Sequence, residues 1–248
     1  MQDCLDSLGM DRVPIAEVRQ YAARRQRSPG TIVLYCLRLD DGRLDCGIRA
    51  DSLNGQWRRR AAARDALQRI LAADLNLPHT EVPLTRDPNG KPCLGRGEDG
   101  TTLQLSCAYT RQFAVLAISS GGQVGVDIEV VNADRFPDEI ADVLLSPRER
   151  RLYRDLPAQV RPRWMAGAWV RKEAILKGLG RGLQIPPALI EAAEADDGVH
   201  GETTADSWRR LPGLPKWSVR ELAWAATVIG LAQSGPPSVS LRTVEVTG

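Results

Sequence analysis

The run VGVDIEV at residues 124–130 constrains the fold most, because its apolar residues alternate strictly with other residues. Side chains of a β-strand point alternately to opposite faces, so the valines and the isoleucine share one face and enter the core. Asp127 and Glu129 project together from the other face, about 6–7 Å apart along the strand. Two carboxylates this close repel each other unless a cation lies between them, and a hard divalent ion such as Mg²⁺ suits oxygen ligands. The alternation alone also fits a strand whose acidic face is solvated.

A second pattern follows some 40 residues further along the chain. Trp169, Glu173 and Lys177 recur at every fourth position, so a helix over residues 163–179 places them on one stripe. A Glu–Lys pair at this spacing is usually an exposed ion pair on a helix. The tryptophan on the same stripe indicates partial burial, which makes charges costly without partners. The stripe is therefore a candidate site.

Elsewhere the sequence predicts a mixture of helices and strands. The predicted elements are a helical lead within residues 1–30, a strand at 31–39, a helix at 58–75, strands at 103–105 and 113–118, and closing strands between 217 and 246. A glycine-rich turn separates the strand at 113–118 from the VGVDIEV strand, so we expect these two strands to form a β-hairpin. Ser146, Pro147 and Glu149 have the spacing of a helix start with a capping box.

Composition is that of an ordinary globular chain, with 43% hydrophobic and 26% charged residues and a net charge of +2. The five cysteines include no C-x-x-C pair, so we expect free thiols in a reducing cytoplasm. Residues 1–12 carry three aspartates and no long apolar run, which argues against a signal peptide. The longest apolar run, at 222–232, is too short to cross a bilayer, so we expect no membrane partner.

Together, the two motifs resemble the surfactin-type 4′-phosphopantetheinyl transferases, whose hallmark is G-[VI]-D-[IVL]-E followed by W-x-x-K-E-x-x-x-K. The turn NGKP at residues 89–92 is similar to a turn of that family. The segment LSPRE at 145–149 resembles its F-S-x-x-E segment, with leucine in place of phenylalanine. The stretch QLSCA at 104–108 resembles its N-I-S-H-S-like strand, where Ser106 is kept and Cys107 replaces the histidine.

The resemblance extends over roughly residues 31–246 and implies a fold as well as an activity. The implied fold is α+β, with two similar halves related by a pseudo-twofold axis and an active site in the cleft between them. The implied boundaries are a helical lead at 1–30, a half that binds coenzyme A at 31–123, and a half with the metal site and catalytic helix at 124–248. A monomer is expected.

The implied reaction moves the 4′-phosphopantetheine of coenzyme A to a serine of an apo carrier protein and leaves adenosine 3′,5′-bisphosphate. Mg²⁺ would be held by Asp127, Glu129 and Glu173, and Lys177 would stabilise the transferring phosphate. A base must accept the serine proton. Glu173 is the first choice, and Glu149 or a metal-bound water is the second.

The resemblance also implies where coenzyme A binds. The predicted binding residues are Arg60, Arg64, Gly90, Lys91, Pro92, Ser106, Cys107 and Lys177. Of these, Arg60, Arg64 and Lys91 would hold the 3′-phosphate, because guanidinium groups and ammonium groups pair well with phosphate. The family histidine contacts the pyrophosphate, so Cys107 weakens that contact. The arginines between Arg148 and Arg163 would attract an acidic carrier protein.

Three other functions stay open. A metal-dependent phosphohydrolase acting on nucleotides needs the carboxylates but neither the NGKP turn nor the tryptophan stripe. A non-catalytic relative is a second alternative, which Cys107 keeps open. A nucleic-acid-binding protein is a third, although the net charge of +2 and the 5% aromatic content argue against it. The sequence does not distinguish carriers of fatty acid, polyketide and nonribosomal peptide synthesis.

Overall fold

The computed structural model describes residues 10–24, 30–39, 55–94, 103–132, 136–193, 208–235 and 240–247. Its helices are α1 (Val18–Arg24), α2 (Gly55–Leu75), α3 (Ala141–Leu144), α4 (Pro147–Asp155) and α5 (Arg161–Leu179). Its strands are β1 (Asp11–Pro14), β2 (Thr31–Arg38), β3 (Leu84–Arg86), β4 (Pro92–Leu94), β5 (Gln104–Tyr109), β6 (Phe113–Ser119), β7 (Val124–Val130), β8 (Arg209–Leu211), β9 (Leu214–Trp224), β10 (Thr227–Ser234) and β11 (Ser240–Thr247). Among these described helices, none is long and apolar enough to span a membrane.

Two large sheets, a small hairpin and the helices packed on the sheets form most of the described part of the chain. One sheet has five strands in the order β1-β11-β2-β6-β5, and the other has four in the order β7-β10-β9-β8. Strands β3 and β4 form a separate two-stranded hairpin. Helix α2 buries Leu67 and Ile70 against the first sheet, whereas α5 packs on β7, β10 and β9 of the second. The predicted α+β class is confirmed, while a twofold relation between the halves stays a prediction.

The predicted hairpin between residues 113–118 and 124–130 is wrong. Strand β6 instead lies between β2 and β5, and β7 forms the edge of the other sheet beside β10. Every residue of β6 is buried, which is typical of a strand inside a sheet with both faces covered. The glycine-rich turn after β6 therefore carries the chain from one sheet to the other.

The first and the last described strands lie side by side in the first sheet. Strand β11 lies between β1 and β2 and runs parallel to both. Glu245 of β11 pairs with Arg12 of β1 at 3.1 Å and with Arg38 of β2 at 3.4 Å. These ion pairs join the three strands. Strands β7 to β10, which follow the predicted boundary at residue 123/124, form the second sheet. The last strand, β11, also follows this boundary but belongs to the first sheet.

The lead segment is not helical throughout, because β1 precedes α1 in its described part. Val13 of β1 is buried in the same core cluster as Val18 of α1, so both elements are held by the first sheet. Residues 1–9 and 25–29 of the predicted lead lie outside the described residues.

Two glycines let α5 lie directly on the second sheet. A β-carbon at Gly125 of β7 would be 1.8 Å from the Ala174 carbonyl oxygen, and one at Gly230 of β10 would be 2.2 Å from the Val170 carbonyl oxygen. Both distances are far below van der Waals contact, so a side chain at either position would push the helix away. This close approach brings the C-terminal half of α5 beside the acidic face of β7.

Candidate active site

The acidic strand face and the helical stripe predicted from the sequence meet where α5 crosses β7. Nζ of Lys177 lies 2.6 Å from Oδ1 of Asp127, which is the distance of a charge-assisted hydrogen bond. Asp127 is only 7% exposed, so its carboxylate depends on the ammonium for compensation. Burial alone would lower the pKa of Lys177, but the charges of Asp127 and Glu173 outweigh burial and raise that pKa. Lys177 therefore stays positively charged.

Two further carboxylates, those of Glu173 and Glu129, lie on the same helix and strand as the Lys177–Asp127 pair. Glu173 is half-buried and precedes Lys177 by about one turn of α5, while Glu129 follows Asp127 on the same face of β7. Burial raises the pKa of Glu173, and the negative charge of Asp127 raises it further, although Lys177 acts in the opposite direction. A carboxylate with a raised pKa is a better proton acceptor near neutral pH.

The carboxylates of Asp127, Glu129 and Glu173 supply the oxygen donors that Mg²⁺ prefers. Among the residues that the structure describes, however, no three His, Cys, Asp or Glu side chains are arranged to hold a metal ion together. Mg²⁺ is usually bound by one or two carboxylates and takes its remaining ligands from water and substrate phosphates. The donor set therefore fits an ion whose coordination is completed by the substrate, and the three-carboxylate site stays a prediction.

A cleft of about 590 Å³ opens beside Lys177. Its walls come from α2, β5, the β3–β4 hairpin and the end of α5, so elements packed on both sheets contribute to it. Its cationic lining residues are Arg64, Arg86, Lys91 and Lys177, and in the described part of the chain no acidic side chain lines it. A concave surface with charges of one sign attracts a ligand of the opposite sign. The cleft is therefore suited to a polyanion.

The cleft brings together most of the residues predicted to bind coenzyme A. They are Arg64, Gly90, Lys91, Pro92, Ser106, Cys107 and Lys177. Arg60 lies in α2, but its side chain is outside the described residues. Leu67, Leu71 and Leu105 add an apolar wall that the motifs did not predict, which suits a ligand with uncharged parts beside its phosphates.

Ser106 and Cys107 lie on β5, where the two sheets approach each other. Oγ of the buried Ser106 accepts a hydrogen bond of 3.1 Å from the Val126 N–H of β7, which ties the edge strands of the sheets together. Burial raises the pKa of the Cys107 thiol, although the nearby cations Lys177, Arg86 and Arg64 act to lower it. A neutral thiol thus occupies the cationic part of the cleft.

Lys91 is placed differently from the prediction. Its ammonium donates to the carbonyl oxygens of Gly178 at 2.8 Å and Val124 at 3.1 Å, so it is bonded to the protein's own backbone. Burial lowers the pKa of Lys91. Among the predicted 3′-phosphate ligands with described side chains, only Arg64 is therefore left as an exposed cation on the cleft wall.

Glu149 does not lie in the cleft, which corrects its predicted role as an alternative base. Its side chain is fully buried, and one carboxylate oxygen accepts from the N–H groups of Ala192 and Ala193 at 2.8 and 3.0 Å. The other oxygen lies 2.5 Å from Nζ of Lys172 and closes the predicted capping box with Ser146. Glu149 therefore fixes the start of α4 and is not free to accept a proton from a substrate.

Two residues in or near the site were missed by the sequence analysis. Lys172 is fully buried and donates to the carbonyl oxygens of Pro187, at 3.0 Å, and Ile190, in addition to its pair with Glu149. The available signal was that Lys172 is the first lysine of the W-x-x-K-E-x-x-x-K motif. Arg86 lines the cleft near Cys107, and no signal in the sequence could have shown this, because its place depends on where the β3–β4 hairpin docks.

The arginines predicted to attract a carrier protein are largely engaged within the chain. Arg163 pairs with Glu221 at 2.5 Å, and Arg150 pairs with Asp142 at 3.2 Å. Arg161 donates to the carbonyl oxygen of Leu156 at 3.0 Å. A carrier-binding surface along this stretch stays a prediction.

Comparison with known proteins supports the resemblance on which the site was predicted. Residues 123–229 match the sequence model of the family described as the 4′-phosphopantetheinyl transferase superfamily. This segment contains all of β7 and all of α5, and therefore both motifs that were recognised in the sequence. The predicted resemblance of the chain to that superfamily is confirmed.

Individual relatives carry the corresponding names. The chain is 28% identical over 165 residues to the 4′-phosphopantetheinyl transferase HetI of a Nostoc species, an alignment that covers 66% of this chain and 65% of that protein. It is 26% identical over 113 residues to the holo-[acyl-carrier-protein] synthase of Geobacillus kaustophilus, covering 45% of this chain and 84% of that protein. It is 40% identical over 60 residues to the Thermotoga maritima protein of the same name, covering 24% of this chain and 34% of that protein. The chain thus spans slightly less than two thirds of the length of the first of these relatives.

Proposed function

We propose that this chain transfers the 4′-phosphopantetheine moiety of coenzyme A to a serine of an apo acyl or peptidyl carrier protein. The observation that carries the proposal is the cationic cleft, whose lining includes Lys177, the residue that pairs with Asp127. Coenzyme A has a 3′-phosphate and a pyrophosphate joined to an uncharged arm. A cleft with cationic and apolar walls matches this distribution of charge.

The residues of the cleft have separable tasks in this reaction. Arg64 binds the 3′-phosphate, because its guanidinium can donate two hydrogen bonds in one plane. Arg86 and Lys177 bind the pyrophosphate, and the ammonium of Lys177 stabilises charge on the phosphate under attack. The carrier serine oxygen forms a bond to the β-phosphorus while the bond between that phosphorus and the bridging oxygen breaks. Adenosine 3′,5′-bisphosphate leaves with the bridging oxygen.

Glu173 is the proposed base that accepts the serine proton. It is half-buried on α5 one turn before Lys177, which lines the cleft, and its carboxylate senses the charge of Asp127, whereas Glu149 is fully buried away from the cleft. Asp127, Glu129 and Glu173 would hold Mg²⁺, which when bound neutralises charge on the pyrophosphate and on the leaving group.

A cytoplasmic location is part of the proposal and is supported by the free thiols of Cys36, Cys93 and Cys107. The proposal also includes that the enzyme is a monomer and that its carrier protein is acidic.

A phosphohydrolase is the alternative that needs a direct test. Both enzymes would release adenosine 3′,5′-bisphosphate from coenzyme A, but the transferase needs an acceptor serine. We expect chromatography to show this product only when apo carrier protein is added with coenzyme A and Mg²⁺. Release at the same rate without carrier protein would identify a hydrolase instead.

The Arg64→Gln substitution tests the 3′-phosphate contact. We expect it to reduce the preference for coenzyme A over 3′-dephospho-coenzyme A by about 10- to 100-fold, because a hydrogen bond to a charged group is lost. Calorimetric titration with the two ligands measures this preference. Arg69→Gln is a matched control, since Arg69 is on the same helix but pairs with Asp65 at 2.7 Å and does not line the cleft. An unchanged preference in Arg64→Gln would rule out the assignment.

The Cys107→His substitution tests whether the thiol leaves a phosphate contact unmade. A neutral thiol is a weak donor, whereas a histidine N–H donates well even when the ring is uncharged. We expect the KM for coenzyme A to fall about fivefold, as for one added hydrogen bond of about 1 kcal/mol. Cys107→Ala should change that KM little. Complete loss of transfer in a folded Cys107→Ala protein would show instead that the thiol itself takes part.

A further inference from the structure

We propose that Lys91 is a positioning residue, which latches the β3–β4 hairpin to the C-terminal end of α5 and does not bind the 3′-phosphate. The hairpin comprises residues Leu84–Leu94 and forms one wall of the cleft. The kinetic part of this inference rests on the proposed function, whereas its structural part does not.

The end of α5 leaves a backbone acceptor that Lys91 satisfies. The last carbonyl groups of an α-helix have no partner within the helix. Gly180 has a φ of 67°, and in this left-handed conformation its N–H bonds to the Lys177 carbonyl oxygen at 3.1 Å. The N–H of Arg181 bonds to the Leu176 carbonyl oxygen at 3.3 Å. These bonds follow the usual pattern of a glycine cap but do not use the next carbonyl, that of Gly178.

The ammonium of Lys91 donates a hydrogen bond of 2.8 Å to the Gly178 carbonyl oxygen. A positive charge at this end of a helix is also favoured by the helix dipole. Lys91 therefore completes the cap of α5 from a separate element, the hairpin. Since the C-terminal turn of α5 carries Lys177, the cap acts on the part of the helix that the proposed chemistry uses.

The same ammonium also donates to the Val124 carbonyl oxygen of β7 at 3.1 Å. Gly178 directly follows Lys177, and Val124 begins the strand that carries Asp127. One ammonium group thus joins the helix end that carries Lys177 to the start of the strand that carries Asp127, its partner at 2.6 Å. Displacing the hairpin would therefore break the contacts of Lys91 with both α5 and β7.

The turn of the hairpin is built to hold Lys91 in this place. Oδ1 of Asp87 accepts hydrogen bonds of 2.9 Å from the N–H groups of both Asn89 and Lys91. A β-carbon at Gly180 would lie 3.1 Å from Oδ2 of Asp87, so the turn rests directly on the cap of α5. Nε2 of Gln184 donates to Oδ1 of Asn89 at 3.3 Å. The hairpin therefore contacts the helix end at several points, and Lys91 is the one that bonds to both α5 and β7.

The Lys91→Met substitution tests the latch, because it removes the ammonium and keeps the unbranched apolar part of the side chain. We expect hydrogen–deuterium exchange of the hairpin amides in the free protein to become about 10-fold faster. With saturating substrates, kcat should fall about 10-fold with coenzyme A and by the same factor with 3′-dephospho-coenzyme A. The preference between the two ligands should stay unchanged. Asp87→Ala, which disrupts the turn but keeps Lys91, should produce the same pattern.

Arg64→Gln is the contrasting variant. It should reduce the preference for coenzyme A while leaving exchange of the hairpin amides unchanged. Unaltered exchange in Lys91→Met would overturn the latch whatever the activity of the variant. A loss of the coenzyme A preference in Lys91→Met would overturn it too, because it would assign Lys91 to the 3′-phosphate. If the unsubstituted chain shows no transfer at all, that result contradicts the proposed function, and the exchange data still decide the latch.

Discussion

Replacing Asp127 with asparagine is expected to lower the rate of transfer by about 100- to 1,000-fold, the range found when one preorganised electrostatic group is removed from an active site. Asparagine keeps the shape of the side chain but has no charge to pair with Lys177, 2.6 Å away, or to attract a divalent ion. Single-turnover kinetics with saturating coenzyme A, Mg²⁺ and apo carrier protein measure the effect.

The control for this substitution is Asp142→Asn. Asp142 is an exposed carboxylate that pairs with Arg150 at 3.2 Å, away from the cleft. Its replacement should leave the rate within about twofold, because exposed ion pairs contribute little. An Asp127→Asn protein with nearly normal turnover would place the reaction elsewhere in the molecule.

Replacing Lys172 with methionine is expected to lower the free energy of unfolding by about 3–5 kcal/mol, as when one partner of a buried ion pair is removed. Glu149 and Lys172 are both fully buried, and their atoms lie 2.5 Å apart. Without the ammonium, the Glu149 carboxylate keeps its backbone donors but loses its compensating charge. Urea denaturation followed by circular dichroism measures the change.

The exposed pair of Arg69 and Asp65 on α2 provides the comparison for this stability measurement. Arg69→Gln removes an ion pair of similar length, 2.7 Å, in a solvated setting. We expect it to change the free energy of unfolding by less than about 1 kcal/mol. A loss as small as this in Lys172→Met would show that the buried pair does not hold α4 and α5 together.

Local periodicity predicted the parts of the site that lie on one strand and one helix. Alternation fixed the face of β7 that carries Asp127 and Glu129, and the fourfold spacing fixed the stripe of Glu173 and Lys177. Their meeting depends on Gly125, whose missing side chain lets α5 touch the strand. The VGVDIEV strand thus contains the glycine that lets α5 pack against it. Only the resemblance to a family, however, predicted that this strand and this helix belong to one site.

Long-range contacts were beyond such reasoning. Lys91 reaches a carbonyl 87 positions away in the sequence, and nothing near it in the chain indicates that partner. Glu149 has the spacing of a cap residue, which was recognised, but its burial against Lys172 depends on how α4 docks on α5. The return of β11 to the first sheet was missed for the same reason, because strand order is set by tertiary packing and not by the pattern of one strand.

Intact-mass spectrometry of an apo carrier protein is the most direct test of the proposed function. The carrier protein is incubated with this chain, coenzyme A and Mg²⁺, and in parallel with the Asp127→Asn variant. We expect the carrier mass to increase by one phosphopantetheine unit with the unsubstituted chain, and no increase when the acceptor serine of the carrier is replaced by alanine. A carrier protein that keeps its apo mass with the folded, unsubstituted chain, across fatty acid, polyketide and nonribosomal peptide carriers, would contradict the proposal.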